Sequence, residues 1–159
     1  MLSAQTQALI KATVPALEAV NEKLTSHFYK IMFSEYPQVR ALFNQAHQQS
    51  GDQPRALANS VIAYAKHIDR LEALGSAVGL IVHKHASLNV LPEHYPIVGS
   101  CLLRAIREVL GAAATDEIVD AWAQAVMQLH GVRHAPGLEQ PDVRHLAQGG
   151  QPAPNKMAV

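Results

Sequence analysis

Apolar residues recur along this chain at steps of three and four, in bursts separated by proline, glycine or short polar runs. That period marks amphipathic helices, each burying one stripe. Ser3 is placed to cap a first helix carrying Leu9, Ile10, Val14, Leu17 and Val20, which Pro15 bends or interrupts. Asn21 is placed to cap a second, with Leu24, Phe28, Ile31 and Met32 on its stripe, Tyr29 beside it, and an end near Tyr36. Pro37 opens a short turn of helix through Leu42 that presents Phe43 at a corner, and the polar run 45–52 reads as a loop.

Pro54 sits where a first-turn proline belongs, with Asp52 or Gln53 as cap and Leu57, Val61, Tyr64, Ala65 and Ile68 as the buried stripe. A helix is predicted from Leu71 to Leu88, loosened by Gly75 and Gly79. The next starts at Pro92, turns Tyr95, Val98, Leu102, Ala105, Ile106 and Val109 inward with Cys101 and Leu103 flanking, and stops at Gly111. Thr115 caps the last, whose face is Ile118, Trp122, Ala125, Val126 and Leu129, with Gly131 as its stop. No stretch alternates like a half-buried strand, so the fold class is all-α. Prolines and glycines crowd the chain past residue 130, which divides it into a helical domain, 1–130, and a loosely ordered tail, 131–159.

The chemistry concentrates in Val82-His83-Lys84-His85. Successive helical residues turn by about 100°, so the two histidines point to nearly opposite faces. The stripe Leu71, Leu74, Val78, Ile81, Val82 continues to His85, which makes His85 the inward one. Taken alone, an inward histidine reads as an ordinary core residue.

Composition narrows the setting. Of 159 residues, 48% are hydrophobic and 16% charged, with a formal net charge of zero, so the chain reads as one globular domain without a field for nucleic acid or anionic lipid. The single cysteine, Cys101, excludes an internal disulfide, the start shows no signal-like segment, and no apolar run reaches the roughly twenty residues of a membrane span. A cytoplasmic protein is expected. The chain also lacks a Gly-rich phosphate loop, Cys-x-x-Cys pairs, a His-Glu-x-x-His helix and a Gly-x-Ser-x-Gly elbow. What remains is a space between helices, with His85 on one side, Gln53, Leu57 and Val61 on the other and Phe43 closing an edge. Haem suits it, because its iron needs one neutral imidazole and its ring needs apolar walls.

The residues also carry a family likeness. Lys11-Ala12-Thr13-Val14-Pro15, Phe28-Tyr29, Leu42-Phe43, Gln53-Pro54 with Leu57, Lys84-His85, Glu93 through Gly99, Glu108-Val109-Leu110-Gly111, Ala113-Ala114-Thr115-Asp116 and Asp120-Ala121-Trp122 together resemble the globins. The likeness is to the bacterial single-domain haemoglobins and the globin module of flavohaemoglobins, over about residues 1–129. It implies a globin fold, a three-over-three helical sandwich around haem b (iron protoporphyrin IX). It makes His85 the proximal iron ligand, with Leu42, Phe43, Leu57, Val61, Lys84, Val90, Tyr95, Val98, Leu102 and Val126 lining the cofactor. Tyr29, Gln53 and Leu57 form the distal side, and Tyr95 orients the imidazole. Without the likeness, Tyr29 reads as a core tyrosine and Gln53 as a helix-start residue.

The relatives also carry a late glutamate, where gapless alignment from Trp122 puts Gly137, two places before Glu139, and Val126 stands where they have an aromatic residue. A weakened electron push from His85 is the implied consequence. The remaining histidines, His27, His83 and His94 among them, read as surface or loop residues, and Cys101 as a small packed side chain.

The expected function is reversible binding of oxygen, with NO and CO as further ligands, for oxygen delivery or storage. The alternative is nitric oxide dioxygenase activity, which needs electrons from a separate flavin reductase because no dinucleotide fingerprint is present. A second copy of the chain is a further candidate partner. A gas sensor and a poorly folded remnant rank behind both.

Overall fold

The computed structural model describes residues 2–43, 49–75 and 93–129. Among them are six α-helices: α1 (Ala4–Ala12), α2 (Val14–Val20), α3 (Glu22–Glu35), α4 (Asp52–Lys66), α5 (His94–Leu110) and α6 (Asp116–Leu129). Short 3-10 turns at Pro37–Leu42, Leu71–Leu74 and Gly111–Ala113 follow α3, α4 and α5. No strand occurs among the described residues.

The proline predicted to interrupt the first helix does so. Pro15 sits in the first turn of α2, where a missing N–H costs nothing, and Thr13 joins α1 to α2. The Thr13 hydroxyl donates to the Ile10 carbonyl (2.6 Å) and accepts from the Trp122 indole N–H (3.3 Å), which fastens the break to α6. Ser3 caps α1 as expected, its hydroxyl accepting from the Thr6 N–H at 3.1 Å. The Thr115 hydroxyl accepts from the Ile118 N–H at 3.3 Å at the start of α6.

Four expectations need correction. Asn21 makes no side-chain cap. Its backbone takes φ +40°, so it serves as the reversal between α2 and α3. The cap of α4 is Gly51 at φ +79°, a left-handed conformation that glycine adopts without strain, which moves Asp52 and Gln53 inside the helix. Leu71–Leu74 is a separate 3-10 turn ended by Gly75 at φ +44°, not the opening of a long helix; the rest of that prediction lies outside the described residues. On α5, Cys101 and Leu103 are each 2% exposed while Tyr95, Val98, Leu102 and Val109 are half-buried. This helix packs against α3 and α6 together, so its buried arc centres on Gly99, Leu103 and Ile106.

The core joins all six helices through Ile10, Leu17, Leu24, Met32, Ala65, Ile106 and Trp122. Where α5 and α6 meet, a side chain built on Gly99 would stand 3.1 Å from Val126 Cγ1. A small residue there keeps the helices close.

Candidate functional site

The distal candidates are built on α3. Its interior face carries Leu24, Phe28 and Met32, and Tyr29 turns toward the corner that follows the helix, buried at 8% exposure. Three phenyl rings surround it. Phe28 is edge-on at 4.9 Å between centroids, Phe43 edge-on at 5.5 Å, and Phe33 tilted by 34° at 5.7 Å. Phe33 and Phe43 also touch, 5.4 Å apart. Phe43 reaches this cluster because Pro37 ends α3 and the following 3-10 turn delivers Phe43 in extended conformation.

Gln53 arrives from α4, half-buried in the first turn. The register of that turn against α3 is held by a buried hydrogen bond of 2.7 Å from the Thr25 hydroxyl to the Pro54 carbonyl. Outside it, Arg55 pairs with Glu22 at 2.9 Å. One turn further, Leu57 is half-buried and Val61 buried. On α5, Tyr95, Val98 and Leu102 follow one another at three and four residues and share a half-buried face. Val126 lies in the packing between α5 and α6. Lys84, His85, Val90 and Gly137 lie outside the described residues.

The structure thus brings Tyr29 and Phe43 into contact, seats Gln53 beside the α3–α4 crossing, and leaves an apolar face of α5 incompletely covered. Leu42, Phe43, Leu57, Val98 and Leu102 are all packed on the core yet only half-buried. Half-buried apolar side chains on the corner, on α4 and on α5 are the kind of lining that a flat apolar ring needs.

Periodicity did not single out three further residues. Phe33 lies four residues after Tyr29, a spacing that already put both on one helical face. Thr25 is a polar residue on a buried stripe, legible only as a residue in need of a partner. His27, read as a surface residue, pairs with Glu108 at 2.5 Å, and Glu108 also accepts from Arg104 at 3.2 Å. The His27 hydrogen bond, followed by Arg104, holds the Glu108 carboxyl below the usual range. Cys101 is packed as expected, and burial pushes its thiol up to about 12.

Comparison with known proteins identifies the family. The globin family model matches residues 26–132, and the chain belongs to the globin family. Haem is the cofactor of that family, and the half-buried apolar surface described above fits it. Over 130 residues the chain is 68% identical to a flavohemoprotein of Burkholderia sp. (strain TH2), covering 81% of this chain and 33% of that one. A flavohemoprotein of Pseudomonas putida is 67% identical over the same shares. The chain therefore spans about a third of the length of the curated relatives it matches.

Among solved structures, a bacterial globin from Campylobacter jejuni superposes with a TM-score of 0.74 at 41% identity, covering 80% of this chain and 91% of that one. An engineered carbene transferase from Rhodothermus marinus, named for nitric oxide dioxygenase, gives 0.75 at 37%, covering 82% and 89%. A flavohemoglobin of Malassezia yamatoensis with bound FAD and heme gives 0.68 at 30%, covering 92% and 36%.

Proposed function

We propose that this chain is a haem-b protein of the cytoplasm that binds oxygen reversibly, with NO and CO as competing ligands. His85 is its proximal ligand, and Tyr29 and Gln53 form its distal side. Haem supplies, when bound, the iron to which a diatomic gas attaches. His85 would offer a neutral imidazole nitrogen to that iron, and Tyr95, on the half-buried face of α5, would orient the ring. Leu42, Phe43, Leu57, Val61, Val98 and Leu102 would keep water from the ring with apolar surface, Lys84 and Val90 would line it together with His85, and Val126 would back it through its packing on Gly99 of α5.

The observation that carries this reading is the burial of Tyr29 within three phenyl rings. A phenol held in apolar surroundings donates a strong hydrogen bond to a polarised gas, since water does not compete and the ring needs no reorganisation. Gln53 has an amide N–H to donate to the gas or to the tyrosine. Tyr29→Phe is expected to raise the oxygen dissociation rate by about tenfold or more, the equivalent of one hydrogen bond of about 1.4 kcal/mol. An unchanged rate in stopped flow contradicts the distal assignment.

A second reading has a specific observation in its favour: the names of the relatives, flavohemoproteins among the sequences and, among the structures, an engineered carbene transferase whose name assigns its parent to nitric oxide dioxygenases. In it the same pocket turns over nitric oxide with electrons from a separate flavin reductase. Sustained NO consumption with added reductase and NADH supports that reading, and consumption that stops after one equivalent favours the carrier.

A further inference from the structure

Tyr29, Phe33 and Phe43 close a triangle of rings with sides of 5.7, 5.4 and 5.5 Å. Two of the contacts are edge-on and the third is not. Phe43 meets the tyrosine edge-on, at 78°, whereas Phe33, tilted by only 34°, lies the most nearly parallel to it. Rings packed around a phenol limit how far it can tip, and Phe33 touches both of the other members of the triangle from one helical turn beyond Tyr29. Phe33 is held in turn. It is only half-buried, but the Arg40 guanidinium carbon lies 5.9 Å from its centroid, within cation–π range. Arg40 belongs to the 3-10 turn that ends in Phe43, so one ring ties α3 to the corner that completes the cluster.

We infer that Phe33 is a positioning residue for the distal hydroxyl: it sets the tilt of Tyr29, and with it the strength of the hydrogen bond to a bound gas. The inference rests on the distal reading of Tyr29 proposed above. Phe33 does not touch the gas in this account. Its effect passes through Tyr29 and vanishes when the hydroxyl is absent.

The test is a double-mutant cycle on the haem-loaded chain, read by the oxygen dissociation rate and by the C–O stretching frequency of the ferrous carbonyl complex, which reports the polarity beside the ligand independently of turnover. Phe33→Leu is expected to speed oxygen release about three- to tenfold and to shift the C–O band part of the way toward that of Tyr29→Phe. In the Tyr29→Phe background the same substitution should change the rate by less than about twofold. Phe33→Tyr, which restores a ring, should return both readouts toward wild type. Circular dichroism checks folding, and Phe33→Met takes the place of Phe33→Leu if the latter does not fold. If Tyr29→Phe alters both readouts while Phe33→Leu alters neither, the positioning role is overturned and the distal reading stands. Equal effects of Phe33→Leu in both backgrounds show a general packing role and also overturn it. If Tyr29→Phe itself changes nothing, the distal reading fails first and the inference falls with it.

Discussion

Among the described residues the Tyr64 hydroxyl is buried without a hydrogen-bond partner, on a ring packed 6.4 Å from that of Trp122. An unpaired buried hydroxyl lowers stability, so Tyr64→Phe is expected to raise the unfolding free energy at neutral pH by up to about 1 kcal/mol. It also contributes to the alkaline limb, together with the Cys101 thiol. Burial pushes the Tyr64 phenol from 10.0 up to about 12, so stability is unaffected by this group below pH 10. Between pH 10 and 12 the unfolded chain loses the proton first, and about 3 kcal/mol is lost by the time the folded phenol ionises. Denaturant unfolding of the wild type and Tyr64→Phe across this range should diverge accordingly; parallel curves contradict the burial argument. Cys101, with its thiol also near 12, should resist alkylation at pH 8 in the folded chain and react once the chain is unfolded.

Residue identity was legible wherever periodicity and polarity agreed. Phe28, Val61 and Trp122 were placed on stripes and are buried. Tyr29 was placed beside its stripe and is buried as well, because three rings from both sides of the corner cover it. Helical phase does not register such a tertiary cluster.

Between elements, the crossing of α3 and α4 depends on one buried hydrogen bond, from Thr25 to the Pro54 carbonyl. Thr25→Val keeps the shape and removes the donor, and is expected to cost about 1 kcal/mol in denaturant unfolding, with Thr25→Ser recovering most of it. A neutral Thr25→Val deprives the bond of its role. The crossing of α5 and α6 is tighter, and Gly99→Val should cost about 1–3 kcal/mol, because its side chain would meet Val126 in a packed core. Hydrophobic spacing predicted that these helices exist but not how they end. The positive φ at Gly51 and Gly75 set those ends, and a glycine in a sequence does not announce which sign of φ it takes. On α5 the predicted inward face was rotated from the one observed, since a helix with apolar residues on two sides has no single stripe to follow.

The whole molecule is a globin in which buried packing and half-buried apolar surface have separate tasks. Trp122, Ile106 and Met32 hold the helices together, whereas Leu57, Val98 and Leu102 are packed from behind and left partly open. That division was not legible in the spacing, which put Leu57, Val98 and Leu102 on inward stripes just as it did Ile106 and Trp122, and the inward histidine it selected, His85, lies outside the described residues. The choice of haem as occupant drew on its chemistry, and the family match supports it.

The central claim is that His85, selected by helical phase over His83, holds haem in this pocket. The most direct test is a haem titration of the apoprotein followed by absorption, in the ferrous form and after adding CO, for wild type, His85→Ala and His83→Ala. One haem should bind per chain and take CO in the wild type and in His83→Ala, while His85→Ala loses the histidine-ligated ferrous spectrum. Failure of the wild type to bind haem saturably, or an unaltered ferrous spectrum in His85→Ala, contradicts the account.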